Sequence, residues 1–144
     1  MLDDEAASAA LGAALARLVR PGDVITLAGP LGAGKTVIAR GLIAALGQRG
    51  DIPSPSFALV QPYDQLDPPL WHADLYRLDK PADLIELGLD TIRHEGVLLV
   101  EWPDRAGIGA WPDALGLSLA VDGDGLRRLT AIVPPGWEER WPAP

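Results

Sequence analysis

Eight residues near the start of the chain, Gly29 to Thr36, read GPLGAGKT and fit the pattern G-x-x-x-x-G-K-[ST]. Glycines at this spacing let successive backbone N–H groups point at one spot and form a concave anion site. Lys35 would reach the β- and γ-phosphates of a nucleotide, and the Thr36 hydroxyl would be a ligand for the accompanying Mg²⁺. The pattern therefore predicts a phosphate-binding loop.

The flanking residues give this loop a strand on one side and a helix on the other. Val24 to Gly29 is a short apolar run, typical of a buried parallel strand. Behind the loop, Gly47 stands where a helix C-terminal cap is expected. The apolar residues between them keep helical spacing: Val37, Ile38, Leu42, Ile43 and Leu46. This context favours phosphate binding over a glycine-rich turn without a ligand.

Two carboxylates are candidates to act together with Lys35 at the predicted phosphate site. Glu101 directly follows an apolar run, and open α/β sheets place functional groups at the carboxyl ends of strands. We expect it to bind Mg²⁺ or to support the ligands that do. Asp74 lies in the extended segment WHADLYRL, where an uncompensated carboxylate would be costly. Ordinary alternatives remain open: Glu101 as a surface carboxylate, and Asp74 paired with Arg77 or with backbone amides.

Other polar residues give weaker signals. Ser54 and Ser56, in the segment SPSF, lie where many nucleotide hydrolases keep a switch segment and would orient water or touch the γ-phosphate. His72 is interpreted as a packed or half-exposed strand residue rather than a catalyst, and His94 as a residue at a helix end.

Composition limits the class of protein. With 144 residues, of which 48% are hydrophobic, the chain is expected to form one domain, residues 1–144. It has no cysteine, which excludes disulfides and thiolate metal sites. Its net charge of −8 argues against a broad nucleic-acid-binding face, so partners are expected to hold any RNA. No apolar stretch is long enough to span a bilayer and the acidic start MLDDEAAS is unlike a signal peptide, so we expect a cytoplasmic protein.

The order of predicted elements defines the fold class. A helix over 4–20 precedes the strand, loop and helix described above. A loop (QRGDIPSPS) and two strands (FALVQPY and LWHADLYRL) follow. An interrupted helix (DKPADLIELGLDTIRHEG) comes next, and then a central buried strand (VLLV) and a hairpin (LGLSLAV with RRLTAIV). The tail, 134–144, is either loose or held by its tryptophans. We predict an α/β, P-loop NTPase-like three-layer domain with a central mostly parallel sheet and a C-terminal antiparallel hairpin.

The ordered set GPLGAGKT, SPSF, HADLYRL, LDKPADLIELGLD and LLVEWPDRAG resembles the TsaE (YjeE) family of small bacterial ATPases needed to make threonylcarbamoyladenosine on tRNA. The likeness spans residues 8 to about 121. It implies a P-loop α/β domain that binds ATP and Mg²⁺ and works with the TsaB and TsaD subunits, the latter being the transferase. We also expect contact with tRNA only through those partners, with the isolated chain a monomer.

The resemblance assigns roles to particular residues. Those matching the family's nucleotide-binding loop are Leu31, Gly32, Ala33, Gly34, Lys35 and Thr36. Thr36 and Glu101 match its magnesium ligands, and Asp74 matches an additional essential acid. Ser8 and Gly125 are the nearest matches to a threonine and a glycine that approach the adenosine. We therefore expect Lys35, Asp74 and Glu101 to act in catalysis. The chain differs from the family in having Ser56 and Val37 where threonines are usual.

Two other classes of protein also use this loop. A small-molecule or nucleotide kinase would need a lid with several arginines, and no arginine-rich insertion is present. A GTP-dependent switch protein would need an N-K-x-D guanine reader, which is absent, although residues 104 to 107 read DRAG. We favour a magnesium-dependent ATPase that is weak alone and stimulated by its partners, with the kinase as the alternative.

Overall fold

The computed structural model describes residues 5–29, 35–48, 60–63, 65–66, 68–75, 96–103, 111, 113–121 and 127–140. Two helices and six strands lie in these ranges, with a short 3-10 turn at Pro135–Trp137. The helices are α1 (Glu5–Ala16) and α2 (Lys35–Ala45). The strands are β1 (Val24–Ala28), β2 (Val60–Tyr63), β3 (Leu70–Asp74), β4 (Val97–Glu101), β5 (Leu115–Val121) and β6 (Arg127–Ile132).

All six strands form one sheet, in the order β2-β3-β4-β1-β5-β6. β1 is parallel to both β4 and β5, and β3 is parallel to β4. The two outer pairs, β2 with β3 and β5 with β6, are antiparallel. This arrangement confirms the predicted α/β fold with a mostly parallel sheet and a C-terminal hairpin.

The central strand β4 is buried on both faces, as its apolar sequence predicts. Leu99 packs into the core that includes residues of α1 and α2, whereas Leu98 and Val100 pack on the opposite face. Since side chains alternate along a strand, the next residue on the side of Leu99 is Glu101. The carboxylate of Glu101 therefore lies on the face of the sheet that α2 covers.

Helix α1 fixes the position of α2 through a close backbone contact. A Cβ on Gly12 would clash with the carbonyl oxygen of Ile38 and lie 2.7 Å from the amide nitrogen of Leu42. Only glycine allows the two helices to approach this closely. Because the helices touch here, α1 helps to hold the first turn of α2 against the end of the sheet.

Helix α1 ends at Ala16, four residues before the predicted limit of the helix at residue 20. The backbone instead forms a tighter, 3-10 type turn, in which Leu18 donates its N–H to the carbonyl of Leu15 at 2.9 Å. A turn follows, in which the Asp23 carboxylate accepts the N–H of Arg20 at 2.6 Å. This side-chain hydrogen bond offers the backbone an alternative to further helix, which explains the earlier end.

The described part of the tail packs on the domain. Trp137 is 1% exposed and belongs to the same core as α1 and α2. The predicted loop QRGDIPSPS after Gln48, the start of the predicted strand FALVQPY and the predicted interrupted helix up to residue 95 lie outside the described residues, as does the end of the tail, 141–144. Among the described helices, none is long and apolar enough to cross a membrane.

Candidate functional site

The predicted phosphate loop connects β1 to α2. Gly29, its first residue, has φ of 140°, a conformation that L side chains rarely adopt. A Cβ there would lie 2.5 Å from the carbonyl oxygen of Leu119. Both the backbone angle and the neighbouring strand therefore require glycine at this position. The other loop residues before α2, among them Leu31, Gly32, Ala33 and Gly34, lie outside the described part of the chain.

Lys35 begins α2 and is nearly buried, with 5% of the residue exposed. Its ammonium group donates a hydrogen bond to the carbonyl oxygen of Gly29. The same group lies 3.4 Å from the centroid of the Trp102 ring. A buried cation needs such partners, and an aromatic face supplies one through its quadrupole. The lysine is thus held at the end of β1, between the loop's first residue and the turn after β4.

Thr36 and Glu101, the two predicted Mg²⁺ ligands, are brought together although they are 65 positions apart. Thr36 Oγ1 lies 3.5 Å from Glu101 Oε1, a long and weak hydrogen bond. Glu101 is 3% exposed. A hydroxyl and a carboxylate are the hard oxygen donors that Mg²⁺ prefers, and two ligands of one Mg²⁺ lie at most about 4.2 Å apart. The chemistry and the spacing of the pair therefore fit this ion.

The second oxygen of Glu101 has a partner that the sequence did not predict. His72 Nε2 lies 2.7 Å from Glu101 Oε2, and both side chains are buried. The sequence interpretation of His72 as a strand residue was correct, but its contact with Glu101 was missed. The available signal was spacing: His72 precedes Asp74 by two positions on one strand, so the two side chains face the same way.

Asp74, the second predicted acid, ends β3 in register with Glu101, the last residue of the neighbouring strand β4. The strands are parallel, so both carboxylates lie at the same edge of the sheet. Asp74 is half-buried. Its placement agrees with the expectation that functional groups cluster at the carboxyl ends of parallel strands.

Trp102 follows Glu101 with φ of 59°, in the left-handed region. For a bulky residue that precedes proline this conformation is strained. A hydrogen bond from its N–H to the carbonyl of Leu27, at 3.2 Å, holds it in place. Backbone strain of this kind concentrates at functional sites. The sequence did not predict that the indole would cover Lys35.

The remaining predicted positions are only partly described. Ser8 lies in α1 and is 0% exposed, and its hydroxyl has no hydrogen-bond partner in the described part of the protein. Gly125, Ser54, Ser56 and His94 lie outside the described residues.

A cavity of about 410 Å³ lies elsewhere in the fold. It is lined in part by Gly22, Asp23, Trp137 and Arg140. Gly22 and Asp23 precede β1, whereas the predicted phosphate loop follows it. The cavity therefore lies at the opposite end of β1 from Lys35 and contains none of the predicted site residues.

The fold and the clustered lysine, hydroxyl and carboxylate define a P-loop NTPase-like α/β protein. Its sequence matches the family model for "Threonylcarbamoyl adenosine biosynthesis protein TsaE" over residues 2–129. The chain belongs to the TsaE family.

Individual relatives agree with this family assignment. The chain is 39% identical over 135 residues to the tRNA threonylcarbamoyladenosine biosynthesis protein TsaE of Streptomyces coelicolor, covering 91% of each chain. It is 37% identical to the TsaE protein of Bacillus subtilis, covering 80% of this chain and 72% of the relative. The crystal structure of YdiB from Bacillus subtilis superposes with a TM-score of 0.79 at 31% identity, covering 94% of this chain and 84% of that one.

Proposed function

We propose that this chain is an ATP-binding and ATP-hydrolysing subunit of the complex that forms N6-threonylcarbamoyladenosine on tRNA, and that it acts with TsaB and TsaD. The observation that carries the proposal is the meeting of Lys35, Thr36 and Glu101 where the predicted phosphate loop enters α2. Family membership supports the pathway.

Lys35 binds the nucleotide by exchanging its present partners for phosphate oxygens. Its ammonium group is already held beside the first residue of the loop, by the carbonyl of Gly29 and the ring of Trp102. The start of α2 adds backbone N–H groups and the positive end of the helix dipole. Both features favour binding of the ATP triphosphate at the start of α2.

Thr36 and Glu101 would hold Mg²⁺ through Oγ1 and Oε1, the atoms that lie 3.5 Å apart. When bound, the ion neutralises charge that develops on the phosphate oxygens during transfer. Asp74 lies at the same sheet edge and would orient the attacking water or connect the site to a partner subunit.

Hydrolysis by the isolated chain is expected to be slow. The loop GPLGAGKT contains no arginine, and an arginine supplied by a partner can raise phosphoryl-transfer rates by about 10³ to 10⁵. We infer that TsaB and TsaD supply or organise the missing group. With a net charge of −8, the chain would meet tRNA only through those subunits, as a cytoplasmic protein that is monomeric when isolated.

The test is phosphate release by the purified chain with and without TsaB and TsaD, together with the threonylcarbamoyladenosine yield per complex. We expect ATP binding and slow turnover alone, at least a roughly tenfold rise with the partners, and repeated rounds of tRNA modification. Fast hydrolysis that ignores the partners, or full multiple-turnover modification without this chain, would contradict the proposal. Preference for GTP would also contradict it.

Matched variants connect the activity to the site. Lys35→Ala and Thr36→Ala should each abolish turnover, because they remove the phosphate cation and the Mg²⁺ ligand. Arg17→Ala removes an exposed cation just beyond the end of α1 and should retain wild-type turnover. Wild-type turnover by either site variant would refute the site assignment.

A further inference from the structure

We infer that His72 is a positioning residue that holds the Glu101 carboxylate in the orientation needed for Mg²⁺, an inference that rests on the proposed function. The two oxygens of this carboxylate have different partners. Oε2 lies 2.7 Å from His72 Nε2, and Oε1 lies toward Thr36. With Oε2 engaged by the ring, Oε1 is the oxygen directed at the metal side of the site.

The burial of the pair makes this contact strong and directional. The His72 and Glu101 side chains are 1% and 4% exposed. Water does not compete for a hydrogen bond in such a place, and a charge-assisted bond to a carboxylate is shorter and stronger than a neutral one. The 2.7 Å separation agrees with this class of bond. The carboxylate therefore cannot rotate freely about its last torsion.

The other ring nitrogen identifies the tautomer. His72 Nδ1 is buried and has no hydrogen-bond partner among the described residues. A proton on Nδ1 would have no acceptor among the described residues, while Nε2 would lose its bond to Glu101. The ring that fits this environment carries its proton on Nε2 and donates it to Oε2.

The apolar surroundings of His72 are also evidence against a purely structural role. Along β3 it follows Leu70 on the same face, and across the sheet it is in register with Leu99, both fully buried leucines of the core. An apolar side chain would complete this core without leaving a polar atom unpaired. Among the described residues, the imidazole instead makes its hydrogen bond to the Glu101 carboxylate.

The experiment compares His72 variants by the affinity of a non-hydrolysable ATP analogue at graded Mg²⁺ concentrations and in EDTA. His72→Gln places an amide N–H near the position of Nε2, whereas His72→Asn is too short to reach Glu101. His72→Phe keeps the ring volume without any donor. We expect the Asn and Phe variants to need roughly 10- to 100-fold more Mg²⁺, the range found when the hydrogen-bond partner of a metal ligand is removed. The Gln variant should stay close to wild type, and affinity in EDTA should be equal for all.

Two further measurements separate orientation from folding. Adding His72→Asn to Glu101→Gln should cause no additional change in Mg²⁺ dependence, because the carboxylate it orients is already absent. The ¹⁵N shifts of the imidazole in the metal-free protein should show Nε2 protonated, with His94→Gln used to assign the two histidines.

The outcomes are distinguishable. Wild-type Mg²⁺ dependence in the Asn variant, or an unprotonated Nε2, would overturn the role of His72 alone. A wild-type protein whose nucleotide binding ignores Mg²⁺ at all concentrations would overturn the proposed function and this inference with it.

Discussion

Asp23 and Arg140 form a bidentate ion pair across 117 positions of the chain. Arg140 Nη1 lies 2.7 Å from Asp23 Oδ2, and Nη2 lies 3.1 Å from Oδ1. The guanidinium also donates to the carbonyl of Leu18 at 2.8 Å and lies 3.9 Å from the centroid of the Trp137 ring. The C-terminal segment is thereby fastened to the turn before β1.

Arg140→Ala is expected to lower the free energy of unfolding by about 2–4 kcal/mol, because it leaves the nearly buried Asp23 carboxylate without its positive partner and the Leu18 carbonyl without the guanidinium donor. Urea unfolding measures this change. The affinity for ATP should not change, since the pair lies at the opposite end of β1 from Lys35. Glu139→Ala, at an exposed neighbouring position, should stay within about 0.5 kcal/mol of wild type. An Arg140→Ala loss as small as that of the control would show that the pair contributes little.

Trp102 fluorescence should report nucleotide binding. The Lys35 ammonium lies 3.4 Å from the ring centroid and would leave it for phosphate, so the electrostatic environment of the indole changes on binding. The chain has five tryptophans, and Trp102→Phe should remove most of the nucleotide-induced change while the other four remain. An unchanged response in Trp102→Phe would assign the signal elsewhere and count against a site beside this ring.

Glu101→Gln and Asp74→Asn should have different effects, although their Cα positions are paired in register. Glu101→Gln removes a predicted Mg²⁺ ligand and should weaken Mg²⁺-dependent ATP binding at least as much as loss of that ligand's hydrogen-bond partner, by roughly 100-fold or more. Asp74→Asn should largely spare ATP affinity and lower turnover by roughly 100-fold, the scale of a lost general base. Titration calorimetry and phosphate release separate the two effects. Small and equal effects would favour structural roles for both acids.

Tyr63 should make stability pH-dependent in the alkaline range. Burial raises the pKa of its hydroxyl above 10.0, an effect that the nearby Arg40 partly offsets. Below pH 10 the hydroxyl is neutral in both folded and unfolded chains, so the stability is fully present. Above pH 10 the unfolded chain ionises first, and stability is lost as the pH rises toward the folded pKa.

Tyr63→Phe should reduce this alkaline loss in urea unfolding at pH 7 and at about pH 10.5. At pH 7 it should be neutral or stabilising by up to about 1 kcal/mol, because the hydroxyl is buried without a hydrogen-bond partner in the described residues. Tyr76→Phe measures the contribution of the other tyrosine. A clear destabilisation by Tyr63→Phe at pH 7 would indicate that the hydroxyl makes a stabilising contact.

The elements that the sequence predicted best are those with a strong local pattern. The apolar run of β4 predicted a strand buried on both faces, and the neighbouring segments LGLSLAV and RRLTAIV predicted the antiparallel pair β5 and β6. The phosphate-loop pattern predicted where β1 ends and α2 begins. In each case the responsible residues are neighbours in the chain, so periodicity and turn chemistry are sufficient. The order of the motifs along the chain likewise indicated the TsaE family, because that order is a property of the sequence alone.

The contacts that tertiary structure decided join residues that are far apart in the chain. His72 meets Glu101, Lys35 meets Trp102, and Asp23 meets Arg140. A local pattern indicates which element and which face a residue occupies, but not which strand becomes its neighbour. That choice depends on the order of strands in the sheet, which places β3 beside β4 and β4 beside β1. The sequence by itself therefore determined the chemical groups of the site, and packing of the sheet determined which oxygen of Glu101 faces Thr36.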